Sequence, residues 1–279
     1  MMLDPLESRV LFSTINTSSV SLCNADGDPG GKIDRHMALI VLVHGNEMNP
    51  SMMTDMAAAV EAQLPSNQYQ VLILDWSKIA AARTNWEVNS LAVGDKLANL
   101  IRLSRIPVSR VNLIGFSMGG AVIGRAAKDL KTSTSEVNRI IGVDPAAGQL
   151  EPADYTEDSA YSIAFCGNDS YGGTVGSLSA DDAILLTGLS SNDLDRHSDV
   201  FQTITTIWQN DAGLSSDGDA AVSSLFSIQS ILNGSPPNWR KNSEDGGFVA
   251  VMACKDTGGD PSPILLTYIN SRNHTITVE

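Results

Sequence analysis

Cysteine is scarce. Cys23, Cys166 and Cys254 are the three in 279 residues. They allow at most one disulfide, and their spacing does not match a metal site. They read as buried thiols in a protein that does not depend on disulfides. Basic residues are also few. The 18 Lys and Arg stand against 32 Asp and Glu, a formal net charge of -14. A surface of that sign repels nucleic-acid phosphates and anionic membranes, so neither is an expected partner. No apolar run approaches the roughly 18 residues that a membrane-spanning helix needs. The first ten residues carry Asp4, Glu7 and Arg9 without an apolar core, so no secretory signal peptide is expected there.

What the chain does hold is apolar: 42% of its residues, with 18% charged. That composition supports a large buried core, and the length suits one α/β domain. Apolar runs alternate with helical patterns, the sequence form of a largely parallel sheet covered by helices. Strands are expected at 37–43, 69–74, 110–114, 139–143, 161–165 and 183–187. Helices are expected from Ser51, a candidate cap, to about Leu64, and at 88–104, 118–130 and 199–208. A short helical stretch at 220–232 then precedes three strand-like runs, 248–252, 264–269 and 275–278, expected as an antiparallel addition at one sheet edge. The organisation that follows is a single catalytic domain: N-terminal strands in 1–36, a core in 37–210, and a C-terminal helix and strands in 211–279.

The chemistry concentrates in Val111 to Gly120, VNLIGFSMGG. Gly-x-Ser-x-Gly is a weak signal alone, but here it follows an apolar strand and opens a helix, as a nucleophile elbow requires. The sharp turn lifts the Ser117 hydroxyl above the sheet edge, and small neighbours keep it clear. The helix N-terminus turns free N–H groups toward a developing oxyanion. One strand–helix–strand unit earlier, VLVHG at 41–45 ends a strand in His-Gly. Such a loop supplies a backbone N–H to an oxyanion hole, which gives Asn46 and Met118 as the two donors. The His44 side chain reads as a tie for the loop.

The chain order of this chemistry is serine, acid, histidine. Only His197 and His274 follow Ser117. His197 lies after the strand at 183–187 and before the helix expected at 199–208, where a base reaches back over the sheet edge. It is favoured over His274, near the chain end. The acid is Asp144, closing a strand in IIGVDP, or Asp169, closing the next in CGND. Either could orient an imidazole and stabilise its charged form.

From His44 to about Trp208 the chain resembles the pancreatic-lipase-like family of α/β hydrolases, most closely its bacterial members. VLVHG resembles the family's oxyanion strand and ILDW at 73–76 the next strand. NSLAVGDKLANL at 89–100 resembles the helix before the elbow. VNLIGFSMGG resembles the elbow itself, with Phe116 where a histidine is usual and Met118 where a leucine is. RIIGVDPAA resembles the motif carrying the catalytic aspartate, and DRHSDVF the histidine segment. The resemblance implies an α/β-hydrolase fold and a Ser117, Asp144, His197 triad, with Asp144 preferred over Asp169. It also implies oxyanion N–H groups at Asn46 and Met118. Family lipases often close a lid with a disulfide shortly before the histidine, but no cysteine lies between Cys166 and His197, so such a lid is not expected. The segment LESRVLFS at 6–13 resembles a leader motif of certain exported bacterial proteins, and reads equally as a first strand.

The expected activity is hydrolysis of short- to medium-chain carboxylic esters, acylglycerols among them, with no metal, nucleotide or other cofactor. A phospholipase A1-type, amidase or acyltransferase activity would use the same triad. A non-catalytic lipid-binding relative would have lost part of the triad, and this chain has all three residue types in order.

Overall fold

Ala38–Val43 is apolar at every position, so a strand formed there needs cover on both faces. It forms β2 of a sheet in the computed structural model. The structure describes residues 15–82, 84–146, 155–167, 180–187, 189–209 and 226–234, and the strands at 248–254, 265–269 and 275–278. The other strands are β1 (Ser21–Asn24), β3 (Tyr69–Asp75), β4 (Val111–Phe116), β5 (Val137–Val143), β6 (Ser159–Cys166), β7 (Asp182–Thr187), β8 (Phe248–Cys254), β9 (Leu265–Ile269) and β10 (Thr275–Val278). The helices are α1 (Thr54–Ala62), α2 (Ser77–Ala80), α3 (Trp86–Ser104), α4 (Gly119–Leu130), α5 (Tyr155–Asp158), α6 (Asp193–Gln209) and α7 (Ile228–Asn233). Among the described residues, no helix is long and apolar enough to cross a membrane.

The ten strands lie in the order β1-β3-β2-β4-β5-β6-β7-β8-β9-β10. Pairing is parallel from β3 through β8. β1 runs antiparallel on β3, and β9 and β10 run antiparallel at the far edge. This is the α/β-hydrolase architecture expected from the sequence. One strand differs: β8, expected within the antiparallel addition, runs parallel to β7. The long connection from β7, which includes α6 and α7, is a crossover that allows a parallel return; the short β8–β9 and β9–β10 connections do not.

Side chains alternate along β2. Leu39, Val41 and Val43 face a cluster with Val93, Leu97 and Ile101 of α3 and Val122, Ile123 and Ala126 of α4. Ile40 and Leu42 face the other cluster, with Met56 and Val60 of α1, Ile204 and Trp208 of α6, and Ile231 of α7. Both layers are closed to water, which is why the strand sequence shows no polar alternation.

Two helix starts differ from the sequence reading. Asn49, not Ser51, caps the turn before α1. Its side chain accepts from Ser51 N at 3.0 Å and Ser51 Oγ at 2.6 Å, and Pro50 supplies a preset φ for the first turn. α6 begins at Asp193 instead of Asp199, because the Asn192 side chain accepts from Leu194 N at 3.0 Å. His197 therefore lies inside the helix, not before it. The polar run SSNDLD reads as a loop until that cap is seen.

α3 and α4 approach closely at Gly94. A Cβ there would sit 2.6 Å from Arg125 Cβ and 2.7 Å from Val122 O. The same Arg125 donates to Asp95 at 2.5 Å, so spreading the helices would disturb that ion pair.

The loop after β2 is tied by His44, which is fully buried. Its ring stacks on Trp76 with centroids 5.4 Å apart, and Trp76 Nε1 donates to His44 O at 3.0 Å. His44 Nδ1 lies 2.8 Å from Gly45 O. A carbonyl can only accept, so Nδ1 carries the proton and Nε2 the lone pair. His44 Nε2 is buried without a partner among the described residues. Protonating it would bury an unpaired N–H on a cation. Burial accordingly lowers the His44 pKa to about 4, against the opposing pull of the Gly45 carbonyl and the Asp75 charge.

Two outcomes follow from these contacts. Gly94→Ala gains roughly 1 kcal/mol of helix propensity, but overpacking a closed helix contact costs about 1–3 kcal/mol. The urea midpoint should therefore fall; a raised midpoint would mean that the helices separate freely. For His44, the unfolded state binds the proton more tightly than the folded state, so stability falls as pH drops from about 6.5 to about 4. The wild type should lose about 3 kcal/mol more across that window than His44→Phe. Denaturation curves of the two that shift in parallel with pH would contradict this.

Candidate active site

The site is assembled from strand ends. The chain passes from β2 to β3 on one side of β2 and returns to β4 on the other. Such a reversal opens a crevice at the carboxyl ends of the strands. Val43 lies opposite Gly115, and Phe116 opposite Val143, which in turn faces Phe165. The residues that leave these strands therefore emerge side by side.

Ser117 leaves β4 with φ 54°, in the left-handed region. For a residue with a Cβ this costs of order 1–3 kcal/mol, and it persists only where the surroundings enforce it. Ser117 N donates to Val143 O at 3.2 Å, while Ser117 O accepts from Gly120 N and Ala146 N, both at 2.9 Å. A Cβ at Gly119 would collide with Val43 O, and one at Gly115 would lie 2.5 Å from Gly119 O. Glycine is required at both because strand and helix meet backbone to backbone. The Tyr155 hydroxyl donates to Gly120 O at 2.9 Å and pins the first turn of α4; burial pushes its pKa up, so it remains a donor.

Asp144 leaves β5 with φ 41° and is fully buried. Its N–H donates to Phe165 O at 2.7 Å. A buried carboxylate needs donors on its oxygens. Oδ1 accepts from Gly167 N at 2.8 Å, and Oδ2 lies 2.5 Å from Nδ1 of His197. The carboxylate thus holds His197 through Nδ1 and leaves Nε2 as the other ring nitrogen. The imidazole also lies flat against Phe116, with centroids 4.8 Å and planes 27° apart, which sets it beside the elbow.

The loop of Gly45 runs against the serine: a Cβ at Gly45 would lie 2.8 Å from Ser117 Cβ and 3.2 Å from Ser117 Oγ. Asn46 follows directly. Neither the Asn46 nor the Met118 N–H donates in a hydrogen bond between described residues. Donors left unused among the described residues, one following Gly45 and one following Ser117 at the start of α4, suit an anion forming above the serine. Asp169 and His274, the other candidates for acid and base, lie outside the described residues, as does most of the stretch between Asp169 and Asp181. Cys23 and Cys166 are buried, and neither is in a disulfide with another described residue. The sequence reading missed the Gly167 N–H and the Phe116 ring as parts of this arrangement. The departure from the usual histidine at 116 was the available signal for the second.

The Lipase family matches residues 15–160, just over half of the chain. The match contains Ser117 and Asp144 and stops before His197. The chain is 28% identical over 171 residues to "Probable phospholipase A1 magnifin" of Vespa magnifica, covering 54% of this chain and 50% of that one. It is 28% identical over 114 residues to "Lipase member H" of Danio rerio, covering 39% of this chain and 24% of that one. The chain therefore spans half or less of the length of these relatives. A solved phospholipase/carboxylesterase structure from Dyadobacter fermentans superposes with TM-score 0.41 at 12% identity, over 70% of this chain and 98% of that one. On the extent of the family match, the chain belongs to the Lipase family, the pancreatic-lipase-like hydrolases that its motifs resemble.

Proposed function

We propose that the chain hydrolyses carboxylic esters through Ser117 as nucleophile, His197 as base and Asp144 as the acid that orients it. The observation that carries this reading is the 2.5 Å contact between His197 Nδ1 and Asp144 Oδ2, closed across 53 residues of chain beside the elbow. With Nδ1 donating to the carboxylate, Nε2 has the lone pair needed to accept the Ser117 proton. Ser117 Oγ attacks the ester carbonyl, and the N–H groups of Asn46 and Met118 receive the oxyanion. Collapse expels the alcohol, which takes the proton from Nε2. Water then repeats the sequence on the acyl-enzyme and releases the acid.

The substrate class is short- to medium-chain acyl esters and acylglycerols. A second reading, cleavage of the sn-1 ester of a phospholipid, is favoured by the phospholipase A1 name of the Vespa relative. Both readings use the same residues and need no cofactor. Release of acid from p-nitrophenyl acetate through palmitate, tributyrin and a phospholipid separates them. Dominant turnover of the phospholipid would select the second.

Ser117→Ala should leave the fold intact and lower kcat by about 10³-fold or more, with the residue left by oxyanion binding. A fluorophosphonate should label Ser117 alone, read by peptide mass spectrometry. Asp144→Asn should lower kcat by roughly 10²- to 10⁴-fold, while Asp169→Asn leaves it near normal. His197→Ala should behave like Ser117→Ala, and His274→Ala should not. Label on another residue, or near-normal turnover by Ser117→Ala, removes the nucleophile assignment. The reverse rankings move the acid to Asp169 or the base to His274.

A further inference from the structure

Phe116 is the last residue of β4, buried, with its side chain on the face covered by α6. Its ring lies against the His197 imidazole at 4.8 Å and 27°. Phe201, one helical turn beyond His197, tilts against the same phenyl ring at 4.8 Å and 46°. The reaction sequence above makes no use of this aromatic contact.

The contact restrains what the carboxylate does not. A hydrogen bond at Nδ1 holds one atom of the imidazole. The ring can still tip about that atom, and Nε2, on its far side, moves most. Proton transfer from Ser117 needs Nε2 at hydrogen-bond distance and in line, a requirement on geometry before anything else. A flat ring packed on the imidazole face blocks the tipping. Phe201 in turn supports the phenyl ring, so the restraint is built from one strand end and one helix. A histidine at 116, the residue usual in the resembling motif, would bring a second proton-binding ring against His197. The phenyl ring supplies the flat face without one.

We infer that Phe116 is a positioning residue for the proton transfer, holding the plane of the His197 imidazole so that Nε2 stays aimed at Ser117 Oγ. This rests on the proposed roles of Ser117, His197 and Asp144. Leucine at 116 keeps an apolar side chain in the site but removes the flat face. Aromatic pairs of this kind contribute a factor of about 2 to 10 beyond their buried area.

The test combines steady-state hydrolysis of p-nitrophenyl butyrate with the rate of fluorophosphonate labelling. Phe116→Leu should lower kcat by about tenfold with KM changed by less than about twofold. Labelling of Ser117, which needs the same base but no ester binding, should slow by the same factor. The flat-ring variants Phe116→Tyr and Phe116→His should recover kcat to within about threefold of wild type. Phe226→Leu is the control for loosened packing. Phe226 belongs to the same core cluster but pairs with Phe165 at 5.6 Å, not with His197. It should lower the melting temperature as Phe116→Leu does and leave kcat and labelling near wild type. Wild-type kcat and labelling in Phe116→Leu would overturn the inference, as would equal losses in the flat-ring variants or in Phe226→Leu. A wild type not labelled at Ser117, or His197→Ala labelled at full rate, would instead remove the proposed roles, and this inference with them.

Discussion

Val43 and Gly115, Phe116 and Val143, and Val143 and Phe165 sit opposite one another in neighbouring parallel strands, and the site is made of the residues that come next. This register is the constraint on which the arrangement depends. A slip of one residue would turn each side chain to the opposite face. Leu39, Val41 and Val43 would then face α1 and α6, and both core layers would be lost. The burial that fixes the register therefore also fixes the site. His44, Gly45 and Asn46 leave β2, Ser117 leaves β4, Asp144 leaves β5 and Gly167 follows β6, all at one edge.

Holding these residues there is expensive. Ser117 and Asp144 both have positive φ without being glycine, and Asp144 has no exposure. The structure offsets each cost locally. Backbone bonds from Val143, Gly120 and Ala146 fix the elbow. Gly167 and His197 occupy the two oxygens of the carboxylate. Close backbone contacts at Gly115 and Gly119 leave the strained turn no room to relax. A turn that cannot relax is also one whose hydroxyl stays where a substrate would meet it, which is the sense in which strain serves a reactive site.

The two histidines near the site show how burial and partners set different roles. His44 gives its proton to a carbonyl and has no second partner among the described residues, so burial keeps it neutral and it serves as a tie between the β2 loop and Trp76. His197 has a carboxylate on one nitrogen and an aromatic ring on its face. The side-chain type is the same. The difference lies in what each strand end and helix delivers to it.

Much of this was legible in the sequence. The continuous apolar run ALIVLV marks a doubly covered strand because both faces need cover. VNLIGFSMGG marks the elbow because a strand that turns straight into a helix needs glycine where backbones touch. The parallel course of β8, the early start of α6 and the contact of Phe116 with His197 were not legible. Strand direction depends on the spatial path of a crossover. A helix start hidden in SSNDLD depends on which polar side chain caps it. The meeting of residues 116, 144 and 197 depends on the register of separate strands and the packing of α6. Sequence order alone determined which residue types were available for the chemistry and in what succession. Only the tertiary structure brought Asp144 to His197 and laid Phe116 on that imidazole's face, because those are distances between segments far apart in the chain, and packing sets them.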